Sequence, residues 1–342
     1  MSRLRGACAL CALVILLADC GGQEQATERS AGSKAIRARE EGLGREPLQP
    51  LPVPAPIEPG LTLLGRRLFE DKRLSSDGTI ACASCHDLES GGDDGLPRSL
   101  GVGRHAGAVN APTVLNAALN FVLFWDGRAK TLEEQIDGPI ANPLEMSTTW
   151  PDIVSKLGRD AGYVSAFRRA FADGITADNV RAAIAGFERT LLTRGSPFDR
   201  WLEGDAGALS APQRAGYELF KTVGCIACHQ GRNVGGNMFQ RFGVMGDYFA
   251  DRGSITQADY GRFNVTGNES DRFVFRVPSL RNVERTAPYF HDGSAPTLAR
   301  AVQVMARYQL GRQLTDEQVS TLVAFLGSLT GPLPSVALGK AR

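Results

Sequence analysis

Two short stretches of the chain carry the same reactive groups at the same spacing, Cys82-Ala83-Ser84-Cys85-His86 and Cys225-Ile226-Ala227-Cys228-His229. Two thiols separated by two residues can add to the two vinyl groups of a porphyrin, and the histidine that follows then lies under the iron. Each stretch therefore reads as a site of c-type haem attachment. The four thiols could instead hold zinc or pair as disulfides. Either alternative leaves the two histidines unexplained in a chain that has only 4.

These groups need a scaffold, and the sequence supplies one twice. Gly65-x-x-Leu68-Phe69 precedes the first motif and Gly216-x-x-Leu219-Phe220 the second. Downstream, Pro112-Thr113-x-x-Asn116 leads to Asp126-Gly127, as Pro278-Ser279-x-x-Asn282 leads to Asp292-Gly293. The register continues through Ala129, Thr131 and Leu132, matched by Ala295, Thr297 and Leu298. Thr176 and Thr315 are N-caps for two terminal helices, the first with an apolar face at Val180, Ile184, Phe187 and Leu191. The expected fold is mainly α: two cytochrome c-like haem domains arising from an internal duplication, residues 60–200 and 201–342. The copies differ where chemistry would differ. Trp125 takes the slot of His291, and the second copy carries an insertion over roughly residues 231–275.

The rest of the sequence sets the context. Of 342 residues, 43% are hydrophobic, and 38 Lys plus Arg balance 37 Asp plus Glu, so no basic excess argues for a nucleic-acid partner. The 39 glycines and 18 prolines imply many turns, and no segment alternates long enough to read as a strand. Arg3 and Arg5 before the apolar run Ala7 to Ala18 have the layout of an export signal over residues 1–19, which points to the periplasm. Leu17-Ala18-Asp19-Cys20 is similar to a lipobox, making Cys20 a candidate lipid anchor. Residues 20–59, polar and then Pro-rich, read as a tether.

The far face of each iron decides between electron transfer and substrate chemistry. Met305 lies on an apolar helical stretch after the second motif and is a candidate thioether ligand; core filling is the other reading, and Met146, Met238 and Met245 compete on spacing alone.

From about Gly60 to Gly331 the chain resembles the bacterial dihaem cytochrome c peroxidases, which are related to MauG-type dihaem enzymes. The resemblance rests on Asn110-Ala-Pro-Thr-Val-Leu-Asn116, Phe124-Trp-Asp-Gly-Arg-Ala129, Gly138-Pro-Ile140 with Leu144-Glu-Met146, Phe275-Arg-Val-Pro-Ser-Leu-Arg-Asn282 and Pro288-Tyr-Phe-His-Asp-Gly293. It implies a C-terminal haem ligated by His229 and Met305 that accepts electrons from a small donor protein, a c-type cytochrome or cupredoxin. It implies an N-terminal haem on His86 that reduces hydrogen peroxide, with Glu145 as the acid–base carboxylate, Gln135 beside it and Trp125 as the aromatic between the haems. A calcium ion on Asn110, Thr286 and Pro288, and a homodimer, are further implications. The distal histidine found in many members is replaced by Val102; either His105, three residues on, ligates the iron or the distal face is open. Two other functions fit the same motifs: a MauG-type enzyme that oxidises aromatic side chains of a partner protein, and a pure electron-transfer dihaem cytochrome.

Overall fold

The computed structural model describes residues 46–338. The expected export signal (1–19), Cys20 and the first part of the expected tether lie outside the described residues. The main helices are α1 (Pro59–Phe69), α2 (Leu132–Ala141), α3 (Trp150–Gly158), α4 (Ala161–Ala170), α5 (Ala177–Glu188), α6 (Pro197–Leu202), α7 (Ala211–Val223), α8 (Leu298–Leu310) and α9 (Asp316–Gly327). Among the described residues the only regular sheet is a hairpin of β1 (Phe239–Arg241) and β2 (Val274–Arg276), antiparallel with Gln240 opposite Phe275. It closes the two ends of the insertion expected in the second half. No described helix is long and apolar enough to cross a membrane.

Local chemistry fixes where the helices start. The Thr176 hydroxyl accepts from the Asn179 amide at the head of α5, and Thr315 does the same for Gln318 at the head of α9. A cap of this kind contributes about 1 kcal/mol. Val180, Ile184 and Phe187 on α5 are fully buried, and each such side chain contributes roughly 1.5–3 kcal/mol. Packing therefore holds the helix, and the cap sets its register.

The same local structure appears in both halves. α1 packs on α5 through Gly65, where a methyl group would collide with the Ala183 carbonyl and the Phe187 side chain; α7 packs on α9 through Gly216, where it would collide with the Thr321 carbonyl and Phe325. Phe69 and Phe220, one turn further along, each lie 6.4 Å from the histidine of their attachment motif. Asn116 and Asn282 both take left-handed backbone conformations, and both side chains bond Thr193, which ties the halves at one hydroxyl.

From Pro47 onward the chain is one compact unit, and the halves share segments. Leu333, Val336 and Ala337 return from the C-terminus to the first-half core, where the Val336 carbonyl accepts from Arg66 at 2.9 Å. The stretch expected to run as a tether through residue 59 is docked from Pro47. Leu48 and Leu51 are almost fully buried, and Leu48 forms a parallel bridge with Gly231. Its Pro-rich pattern hides two apolar anchors whose receptors lie far away in sequence.

Candidate functional site

The second attachment motif follows α7, and its chemical groups converge. Cys225, Cys228, His229 and Met305 line one cavity, with Phe220, Leu298 and Leu322 as apolar wall. Met305 reaches it from α8. The competing methionines do not: Met146 is buried in the first-half core, Met245 is 62% exposed, and Met238 is absent from the wall. His229 is half-buried, and its Nδ1 is shielded from solvent with no hydrogen bond of good geometry. Burial holds its proton affinity down to about 4, so the ring is neutral and offers a lone pair.

In the first motif, His86 places Nδ1 3.1 Å from the Gly92 carbonyl. If Nδ1 carries the proton, Nε2 is left as the free donor atom for a metal, the usual division of labour in a ligating imidazole. Burial lowers the proton affinity of this ring too. The four thiols are unpaired. Among the described residues no metal-sized cluster of His, Cys, Asp and Glu includes any of them. A half-buried imidazole of lowered proton affinity beside two free thiols, present twice, fits covalent haem.

Glu145 sits just beyond α2, in a turn held by bonds from the Glu145 and Ser147 amides to the Asn142 carbonyl, 3.0 Å each. Its carboxylate accepts from Asn142 Nδ2 at 2.6 Å. Burial pushes its proton affinity above the ordinary carboxylate range, while Asn142 and the Arg128 charge pull it back. The Glu145 charge is also felt, weakly, at the Cys85 thiol, so the acid lies within electrostatic reach of the first attachment motif. Val102 donates its amide to the Glu145 carbonyl at 2.8 Å. This approach requires Gly101, because a Cβ there would lie 2.6 Å from Glu145 Cα. Gln135 is half-buried on α2. His105 is exposed, its ring folded back over Gly103, and Val102 rather than a histidine is the buried residue of this loop.

Helices α2 and α8 both begin at a capping threonine, Thr131 and Thr297. Counting from these caps, the position of Met305 is Pro139 in the first half, a residue whose side chain has no donor atom for iron. The two sites are built unequally.

Trp125 lies where the halves meet. Its Nε1 donates to the Asn110 carbonyl at 2.9 Å, and its ring stands edge-on to His291 at 6.4 Å. Asn110, Thr286 and Pro288 line the same cavity wall. Asn110 Nδ2 is engaged by the Leu96 carbonyl at 2.8 Å, which leaves the side-chain oxygen as the group available to a cation. Three neighbours of the candidate residues carry no signal in the sequence: Asn142 against Glu145, Asp259 against His291 Nε2 at 2.7 Å, and Arg276 in the cavity wall. An Asn-Pro pair after a helix signals a turn but not a partner. Asp259, His291 and Asp292 approach closely enough for a cation, but Arg252 already pairs with both carboxylates.

A family model described as di-haem cytochrome c peroxidase matches residues 59–207. The chain is 48% identical to the cytochrome c551 peroxidase of Nitrosomonas europaea, covering 86% of each chain. It is 49% identical to the cytochrome c peroxidase of Escherichia coli K12 over 84% of this chain, a match that spans 61% of that relative's length. The crystal structure of a MauG-like protein associated with microbial copper homeostasis superposes with a TM-score of 0.72 at 30% identity, covering 84% of this chain and 94% of that one.

Proposed function

The chain belongs to the di-haem cytochrome c peroxidase family, and from that membership we propose that it reduces hydrogen peroxide to water with electrons from a small donor protein, a c-type cytochrome or a cupredoxin. It is an oxidoreductase acting on peroxide. The observation that carries the reading is the inequality of its two sites: Met305 faces the cavity of His229, whereas its counterpart in the first half is Pro139 and an acid, Glu145, lies near Cys85.

Cys82, Cys85 and His86 would hold one haem and Cys225, Cys228, His229 and Met305 the other. The bound haems would supply two one-electron centres, which matches the two electrons that peroxide needs. A thioether ligand raises the potential of the C-terminal centre and suits it to accept electrons from the donor. Trp125, bonded to Asn110 and in contact with His291, stands on the route between the halves. At the N-terminal site Glu145 takes the proton from one peroxide oxygen and returns it to the other as the bond between them breaks. Gln135 orients the peroxide. Asn110, Thr286 and Pro288 hold a calcium ion where the halves meet, supported by the free oxygen of Asn110 and by the preference of that ion for oxygen ligands.

The repeated helix pairs support descent from one duplicated module, with haem domains at residues 60–200 and 201–342. Covalent haem attachment and the leader read from the sequence support a periplasmic location.

A pyridine haemochrome assay on the holoprotein should return two c-type haems per chain, and reduced cytochrome c should be oxidised only when peroxide is added. The far-red sulfur-to-iron band should vanish in Met305→Ala with both haems retained. A colourless protein, or one with no peroxide-dependent turnover, overturns the reading.

The exposed position of His105 and the buried Val102 support an open distal face on the N-terminal haem. The ferric protein as isolated should therefore give a high-spin electron paramagnetic resonance signal and turn over peroxide without prior reduction. Two purely low-spin haems would show that a protein side chain has closed the site.

A further inference from the structure

Two arginines, Arg276 at the end of β2 and Arg281 in the loop that follows, are both almost fully buried, at 3% and 1% exposure. Arg281 is neutralised by Asp199 at 2.7 Å. Arg276 has no such partner. Its Nε donates to the Phe124 carbonyl at 3.1 Å and its backbone amide to the Trp125 carbonyl at 2.9 Å. Among the described residues no carboxylate comes within ion-pair distance, and neither Nη nitrogen has an acceptor. Burial lowers its proton affinity to about 10, which still leaves the guanidinium charged at neutral pH. A buried charge without a counter-charge is strongly unfavourable, so one that persists calls for a partner.

Arg276 lines the cavity that holds His229 and Met305, and the lining contains no Asp, Glu or Lys. The wall thus presents one permanent cation and no anion, so the negative charge must arrive with the occupant. The geometry points to a carboxylate-binding site at Arg276: its Nη N–H groups take a propionate of the haem seated between His229 and Met305. This inference rests on the two-haem reading above. A guanidinium suits the task because its planar fork matches a carboxylate, and here Nε and the backbone amide are already fixed by two carbonyls. The same residue anchors that carboxylate to the backbone of Trp125, on the path between the halves. Neutralising the propionate removes a negative charge that would oppose reduction of the C-terminal iron, so Arg276 holds its potential up.

The test is a spectroelectrochemical titration of the holoprotein and of Arg276→Gln and Arg276→Lys, with haem content measured in each by pyridine haemochrome. We expect the Met-ligated haem of Arg276→Gln to shift to lower potential and that of Arg276→Lys to stay near the parent. The propionate bending band in resonance Raman spectra should move in both variants, because the bidentate fork is gone from each. Two haems present with potential and band unchanged in Arg276→Gln would overturn the assignment while leaving the peroxidase reading intact. Absence of haem from the parent protein would overturn the peroxidase reading itself. If Arg276→Gln does not accumulate with both haems, Arg276→Lys decides alone: a shifted propionate band supports the site and an unchanged band removes it.

Discussion

Replacing Glu145 with Gln should lower kcat/KM for peroxide by about 10²–10⁴-fold, the range that one positioned acid–base group contributes. Haem content, helicity and the oxidation of the C-terminal haem by chemical oxidants should stay at parent levels. The substitution keeps the size of the side chain and its ability to accept from Asn142 Nδ2 at 2.6 Å. It removes the one capacity the proposed proton transfer needs, an oxygen that can take a proton and give it back. Steady-state turnover with a reduced c-type cytochrome, across a range of peroxide concentrations, measures the effect. Turnover within threefold of the parent would place the proton transfer elsewhere.

The pH dependence follows from the same surroundings. Burial raises the Glu145 proton affinity above the usual carboxylate range, with Asn142 and Arg128 opposing. In the proposed mechanism Glu145 must be ionised to accept the peroxide proton, so activity should be lost as pH falls through this raised value, earlier than for an exposed glutamate, as a pH profile of kcat/KM would read. Asn142 donates to the ionised form and favours it. Without that donor, the acid limb of the rate profile moves further toward neutral pH.

How much of this could be read from the chain depended on whether the partners were local. The attachment motifs are contiguous, and the capping threonines Thr176 and Thr315 lie within a turn of the amides they bond, so spacing alone locates them. The repeated glycines Gly65 and Gly216 were visible as a pattern, but their reason, the approach of α5 and α9, is tertiary. Met305 could not be separated from three other methionines, because a thioether that binds iron and one that fills a core have the same periodicity. Their surroundings differ in the fold: Met146 sits in the first-half core, Met245 faces solvent, and Met305 lines the cavity while packing against the cluster of Phe242, Tyr248 and Val304. Leu48 and Leu51 read as parts of a tether because no local period marks them; Leu48 is placed by its bridge to Gly231, a residue with a positive φ of 75°, and Leu51 by backbone bonds to Asp199 and Arg194. Arg276 and Arg281 stand in one motif, and only the fold shows that Asp199 reaches one and not the other.

Asp199→Ala should destabilise the holoprotein by about 3–5 kcal/mol, the usual consequence of leaving a buried ion without its partner. Both members of this pair are at most 1% exposed. Asp199 does three things from one position. As the third residue of α6 it completes a capping box with Ser196, its Oδ1 accepts the Leu51 amide at 3.3 Å, and it faces Arg281. Arg281 in turn donates to the carbonyls of Arg232 at 3.0 Å and Gln49 at 2.9 Å. The pair therefore joins the docked N-terminal segment, the connection between the halves and the loop that precedes α8. A surface pair such as Arg200 with Asp205, both about half exposed, should contribute under 1 kcal/mol. Guanidinium unfolding of the two-haem protein measures the difference. The Asp199→Leu, Arg281→Met double variant should recover most of the loss, since apolar groups of similar volume leave no charge to solvate. Limited proteolysis should cut residues 47–51 faster in Asp199→Ala than in the double variant, where apolar packing re-covers Leu51. A single-variant loss below about 1 kcal/mol would mean that water reaches Arg281 and that the joint is not closed as described.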